Sequence, residues 1–171
     1  DLVHDKEVRG VSRRLIMGVF YAFSLIYEQL VNFKLAMYRW GWVKKEQLPC
    51  FVISLGNVPV GGTGKTPTAQ HLARAIHEMG YRVAILNRGY RAKWRGEVGI
   101  VSDGHTLKMD AETAGDEAFM LAKHLPDVPV LIGPKRAVTG RYAIEHFGAE
   151  VAILDDGYQH WQLVRDMDIL L

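Results

Sequence analysis

From Cys50 onward the chain alternates short apolar runs with longer stretches of mixed character. Phe51–Leu55, Arg82–Leu86, Val128–Ile132, Val151–Leu154 and Met167–Leu171 are apolar or nearly so over a strand's length, as a strand buried on both faces reads. Thr68–Met79, Ala114–His124 and Lys135–His146 space their apolar side chains at helical intervals. Gly80 and Gly148 follow two of these stretches, where a left-handed helix end favours glycine. Strands alternating with amphipathic helices predict an α/β fold. Its sheet is mostly parallel, helices cover both faces, and ligands bind beyond the carboxyl ends of the strands. Gly99–Leu107, centred on Ser102-Asp-Gly-His105, predicts a small hairpin inserted in this pattern.

The N-terminal part follows a different pattern. Leu15–Tyr27 is almost wholly apolar, and the apolar character continues, diluted, to Trp42. Arg13 and Arg14 precede the run; Glu28, Lys34, Arg39, Lys44 and Lys45 interrupt or follow it. The uninterrupted run is short for a bilayer-spanning helix, and no small-residue cleavage site marks a signal peptide. Aromatics such as Phe20, Tyr21, Phe23, Tyr27, Trp40 and Trp42 between basic flanks predict an amphipathic helix at a membrane interface. A helix packed on the protein's own core has a similar composition. The expected division is a helical segment over 1–47 and an α/β core over 48–171. The chain opens without a methionine and closes at Leu171 inside a predicted strand, so an incomplete chain lacking a C-terminal portion is expected.

Composition narrows this only slightly. A length of 171 residues is enough for one full core. A net charge of +2 gives no argument for nucleic acid. The single cysteine, Cys50, rules out an internal disulfide and fits a reducing compartment, with packing as its expected role.

The richest chemistry lies in Ser54-Leu-Gly-Asn-Val-Pro-Val-Gly-Gly-Thr-Gly-Lys-Thr-Pro67. A predicted strand runs into a glycine-rich turn and then a helix, the context of a phosphate-binding loop. Backbone N–H groups of such a loop and of the helix N-terminus converge on an anion. Gly61, Gly62, Thr63, Gly64, Lys65, Thr66 and Pro67 form the cradle; Lys65 reaches the terminal phosphates and the Thr66 hydroxyl meets a magnesium ion. The strict pattern places glycine where Pro59 stands, and Gly61-Gly62 fits the GGxGKT variant of the loop. An ordinary glycine-rich turn is the alternative.

Four further clusters follow strands on the same predicted edge. Asp155-Asp156-Gly-Tyr-Gln-His160 ends a hydrophobic run, and carboxylates there hold magnesium in a nucleotide site; they also cap a following element. Gln159 and His160 are placed to orient a phosphate or a substrate hydroxyl. Asn87-Arg88-Gly-Tyr90 offers a guanidinium to a phosphate, and Arg91, Lys93 and Arg95 beyond it read individually as solvated. Gly115-Asp116-Glu117 opens a helix, where carboxylates favour the dipole and where Asp116 is also placed to act as a base. Gly133-Pro-Lys-Arg136 starts another helix, with Pro134 at an initial position and Arg136 facing the site.

Taken in order, GNxxxGGTGKTP, RGY, GDE, GxxR and DDGYQH resemble the tetraacyldisaccharide 4′-kinase family, the lipid A 4′-kinases of Gram-negative-type bacteria. The resemblance implies a P-loop NTPase-type fold and phosphorylation of the 4′-hydroxyl of a tetraacylated glucosamine disaccharide 1-phosphate. It implies ATP and Mg2+ as cofactors, the lipid and a membrane surface as partners, and a place on the cytoplasmic face of the inner membrane. It assigns 12–43 to membrane and lipid contact and Asp116 to the catalytic base. Asp155 and Asp156 fall near magnesium, and Arg88, Tyr90, Glu117, Arg136, Gln159 and His160 line the substrate site. Tyr158 and Asn87 depart from the family's usual residues. Two other readings fit the motifs alone: an ATPase or GTPase switch acting on a protein partner, and a non-catalytic nucleotide-binding module.

Overall fold

The structure is a computed structural model. It describes residues 2–40, 42, 45–56, 64–157 and 162–171, with the backbone alone for residues 2–15 and 39. Two compact units divide the chain, Asp1–Lys44 and Lys45–Leu171.

The first unit is built on one continuous helix, α1 (Leu2–Arg39). Glu28 and Lys34 interrupt the apolar run but not the helix. Ile16–Tyr38, at 23 residues and a mean hydropathy of 1.3, is long and apolar enough to cross a membrane by length and composition. The segment is therefore longer than its uninterrupted run suggests. Ile16, Met17, Val19, Phe20, Tyr21 and Phe23 are all exposed. At a hundred degrees per residue these six lie within an arc of about 200°, a broad apolar face.

The second unit is an α/β sandwich. Its strands are β1 (Phe51–Gly56), β2 (Val83–Asn87), β3 (Gly99–Asp103), β4 (Pro129–Ile132), β5 (Val151–Leu154) and β6 (Met167–Leu170). They form one sheet in the order β3-β4-β2-β5-β1-β6. All neighbours are parallel except β3, which pairs antiparallel with β4 at one edge. The helices are α2 (Lys65–Glu78), α3 (Ala111–Ala114), α4 (Asp116–His124) and α5 (Arg136–Phe147).

Period-two alternation splits the core. Ile53, Val83, Ile85 and Ile153 pack against Ala69 and Ala73 of α2 and Ala118 and Leu121 of α4. Val52, Ala84, Leu86 and Leu154 pack on the other face with Ala137 and Ala143 of α5. Both faces are thus covered, which is why the central strands read as unbroken apolar runs. Gly80 and Gly148 take the positive φ expected past α2 and α5.

Three local expectations change. Gly99–Leu107 does turn back on itself, with an antiparallel bridge between Ser102 and Leu107 and the Asp103 and Lys108 N–H groups bonded to the Thr106 and Val101 carbonyls, but it is not a separate insert: β3 also pairs with β4 in the main sheet. The helix expected over Ala114–His124 begins two residues later, as α4, with Gly115 (φ 85°, ψ 145°) as its N-cap and the short α3 ahead of it. A Cβ on Gly115 would lie 2.6 Å from the Tyr90 carbonyl oxygen, so only glycine lets the chain approach there. Pro134 lies ahead of α5, whose N-cap is Lys135.

Candidate active site

The carboxyl ends of β1, β5, β2 and β4 face one side, and the chemistry-bearing loops leave from there. After β1, the chain re-enters the described residues at Gly64, whose left-handed backbone (φ 80°, ψ 18°) turns it into α2. Among the described residues no side chain caps that helix, which leaves its first N–H groups and the positive end of its dipole suited to an anion. Lys65 is the first residue of α2, followed by Thr66 and Pro67. Gly61, Gly62, Thr63, Gln159 and His160 lie outside the described residues.

Lys65 Nζ donates to Asp156 Oδ1 at 2.8 Å. Asp156 sits in a left-handed conformation, φ 58°, immediately after β5, and its side chain is largely exposed. Asp155 beside it is buried. Its carboxylate accepts a hydrogen bond from Asn87 Nδ2 at 2.8 Å. Burial pushes the Asp155 carboxyl above the usual range; Glu117 and Asp156 add to this, and the Asn87 bond and Lys65 oppose it. Glu117 therefore lies within electrostatic reach of Asp155, from the first turn of α4. Asp116, its neighbour, is exposed at the start of the same helix.

Arg136 opens α5 with its guanidinium buried. Its Nη1 donates to the Gly133 carbonyl at 2.7 Å, and its Nε has no partner among the described residues. Burial pulls it down to about 10; Asp155 and Asp156 raise it, and Arg88 lowers it further. Lys65, Asp155, Asp156, Glu117, Arg136 and Arg88 thus form one electrostatically coupled cluster. Arg88 and Tyr90 are exposed on the loop after β2.

Asn87 is the residue the sequence undervalued. Besides holding Asp155, its Oδ1 accepts from Gly89 N–H at 2.8 Å, and its carbonyl accepts from Gly133 N–H at 3.1 Å. One buried residue therefore joins the ends of three strands, its side chain reaching β5 and its backbone carbonyl the end of β4. An asparagine closing an apolar strand was the available signal. Ser54, buried on β1 with no partner for its hydroxyl among the described residues, carried none.

The donor set fits a magnesium–nucleotide complex. Two adjacent carboxylates and the Thr66 hydroxyl are hard oxygen donors, and magnesium typically takes one or two carboxylates plus phosphate oxygens and water. A carboxyl destabilised by burial, as Asp155 is, gains from a cation beside it.

Comparison with known proteins follows the same lines. Residues 16–171 match the family described as Tetraacyldisaccharide-1-P 4'-kinase. The chain belongs to this family. It is 44% identical over 163 residues to the tetraacyldisaccharide 4'-kinase of Pelobacter propionicus, covering 95% of this chain and 45% of that protein. It is 48% identical over 149 residues to that of Syntrophus aciditrophicus, covering 87% of this chain and 40% of that one. A crystal structure of LpxK from Aquifex aeolicus in complex with ATP superposes with a TM-score of 0.79 at 45% identity, over 86% of this chain and 46% of that one. The chain therefore spans a little under half the length of the tetraacyldisaccharide 4'-kinases it matches.

Proposed function

We propose that the protein to which this chain belongs transfers the γ-phosphate of ATP to the 4′-hydroxyl of a tetraacyldisaccharide 1-phosphate, giving lipid IVA. The observation that carries this reading is the uncapped start of α2, with Lys65 paired to Asp156 beside buried Asp155. A lysine held by a carboxylate at a helix N-terminus is poised to exchange that partner for phosphate oxygens.

Lys65 and the α2 N–H groups bind the β- and γ-phosphates. Thr66, Asp155 and Asp156 would hold Mg2+, which when bound neutralises charge on the phosphates. Asn87 keeps the Asp155 carboxylate in place. Asp116 takes the proton from the sugar hydroxyl as its oxygen bonds to the γ-phosphorus; the bond to the β–γ bridging oxygen breaks and ADP leaves. Arg88 and Arg136 offset negative charge on the transferring group. Gly61, Gly62 and Thr63 complete the phosphate cradle, and Tyr90, Glu117, Gln159 and His160 line the acceptor side.

The acceptor is a lipid, and α1 brings the enzyme to it. We place the enzyme on the cytoplasmic face of the inner membrane, anchored through the apolar stretch of α1. The test is ATP consumption by the purified full-length protein with and without tetraacyldisaccharide 1-phosphate in detergent micelles. Turnover that requires the lipid supports the kinase; equal turnover without it points to the switch-type ATPase and overturns the reading.

A further inference from the structure

The turn that carries the acidic pair is tied from three sides. The Asp155 N–H donates to the Leu86 carbonyl of β2 at 3.2 Å, and the Gly157 N–H donates to the Leu55 carbonyl of β1 at 2.9 Å. Between them Asp156 holds φ 58°, a conformation that costs a non-glycine residue energy and persists only where the surroundings impose it. Gly157 is seated tightly: a Cβ there would lie 2.5 Å from the Leu154 Cβ and 2.9 Å from the Ser54 Oγ. The third tie is a side chain. Arg165 Nη1 donates to the Gly157 carbonyl at 3.2 Å, and its Nε stands 3.2 Å from Asp168 Oδ1 on β6.

Arg165 can hold that carbonyl because its own segment is firmly docked. Leu163 is buried. The Val164 N–H donates to the Glu46 carbonyl at 2.8 Å, and the Asp166 N–H to the Val52 carbonyl at 2.9 Å. The Val52 N–H in turn donates to Asp166 Oδ2 at 2.7 Å. The chain then enters β6, which runs parallel to β1. A guanidinium presents its donors in a rigid fork, so one arginine bonds a carbonyl and a carboxylate at once and fixes the angle between them. The Arg165 side chain is only 16% exposed, whereas that of Asp156 is 68% exposed. The place of the Asp156 carboxylate therefore depends on the backbone of the turn more than on packing around it.

We infer that Arg165 is a positioning residue: by holding the Gly157 carbonyl to β6, it keeps Asp156 left-handed, with its carboxylate opposite Lys65. This rests on the magnesium–nucleotide reading of the site above. Without the tie, Asp156 relaxes toward negative φ and its carboxylate leaves Lys65. The start of α2 still offers its N–H groups to phosphate, and Asn87 still holds Asp155. What is lost is one of the two carboxylates offered to the cation. Arg165 lies outside every motif that marks the site in the sequence, and only the bond to Gly157 connects it to the acidic pair.

The test measures binding of a non-hydrolysable ATP analogue to the full-length protein by calorimetry, with and without magnesium. In Arg165→Met the gain in affinity that magnesium brings should shrink at least about fivefold, the lower end of what a left-handed non-glycine residue costs. The magnesium-free affinity should stay within about twofold. Asp168→Ala, on the edge strand, should act in the same direction, and carries the prediction if Arg165→Met fails to fold. Added to Asp156→Asn, Arg165→Met should reduce the magnesium gain no further, because both act through one carboxylate. A merely structural role lowers both affinities together, and that result overturns the inference. So does a magnesium gain unchanged in both variants, or an additive loss in the Asp156→Asn background. A wild-type protein that gains nothing from magnesium removes the magnesium reading and this inference with it.

Discussion

Replacing Asn87 by alanine removes both side-chain bonds by which this residue links β2 to its neighbours. Each can be weighed separately. The Gly89 N–H loses a neutral acceptor, a loss of about 1 kcal/mol. The Asp155 carboxylate, buried at 3% exposure, loses its amide donor, which costs about 2–3 kcal/mol while the group is charged. The total near neutral pH is therefore about 3–4 kcal/mol. The two parts differ in pH dependence. Burial already holds the Asp155 carboxyl above its unfolded value, and the Asn87 bond opposes that shift. Between the two values the folded chain binds more protons, so stability falls as pH rises through that window. Alanine widens the window upward. At about pH 5, where a larger share of Asp155 in the variant is protonated and cheaper to bury, the loss should shrink toward the neutral bond's share of about 1 kcal/mol. Urea unfolding of the full chain, followed by tryptophan fluorescence at about pH 5 and about pH 8, measures the difference. An equal loss at both pH values, or a larger one in acid, refutes the claim that Asn87 serves the Asp155 carboxylate.

Four further outcomes are expected. Lys65→Ala should lower lipid-dependent turnover by at least about a hundredfold, the loss of one preorganised electrostatic contact, read in a transfer assay; unchanged turnover removes the phosphate-loop reading. Asp116→Asn keeps the shape of the start of α4 and should abolish most of kcat with little change in ATP affinity; a fall in affinity with kcat intact assigns Asp116 to the nucleotide instead. Deleting residues 1–43 should weaken sedimentation with anionic liposomes and raise the KM for the lipid more than that for ATP, whereas unchanged sedimentation moves the membrane contact elsewhere. The Cys50 thiol is pushed up to about 11, mainly by burial and also by Asp166, so a maleimide should label the folded chain far more slowly than the urea-unfolded chain at neutral pH.

Much of the core could be read from the residues because its causes are local. Phe51–Gly56, Val83–Asn87 and Val151–Leu154 are central strands, and burial on both faces leaves them nearly continuous apolar runs. Lys65, the acidic pair and the RGY and GDE clusters each follow a strand or open a helix, so one sheet edge collects them. What could not be read depends on contacts between distant segments. The turn at Asp103–Thr106 and the Ser102–Leu107 bridge are local and legible, whereas the pairing of Gly99–Asp103 with β4 depends on a distant strand. The GDE cluster marks Gly115 as the opening of α4, but the Tyr90 carbonyl that demands glycine there comes from a distant loop. Arg88, Arg91 and Arg95 come to line one cavity only because β2 and β4 lie side by side.

The destination of the transferred phosphate distinguishes a 4′-kinase from every other reading. Full-length protein, ATP, magnesium and tetraacyldisaccharide 1-phosphate should yield one new phosphate monoester, assigned by phosphorus–proton NMR correlation to the 4′ position, and Lys65→Ala should suppress it. Release of inorganic phosphate with the lipid unchanged, or a phosphate on any other hydroxyl, would contradict the account.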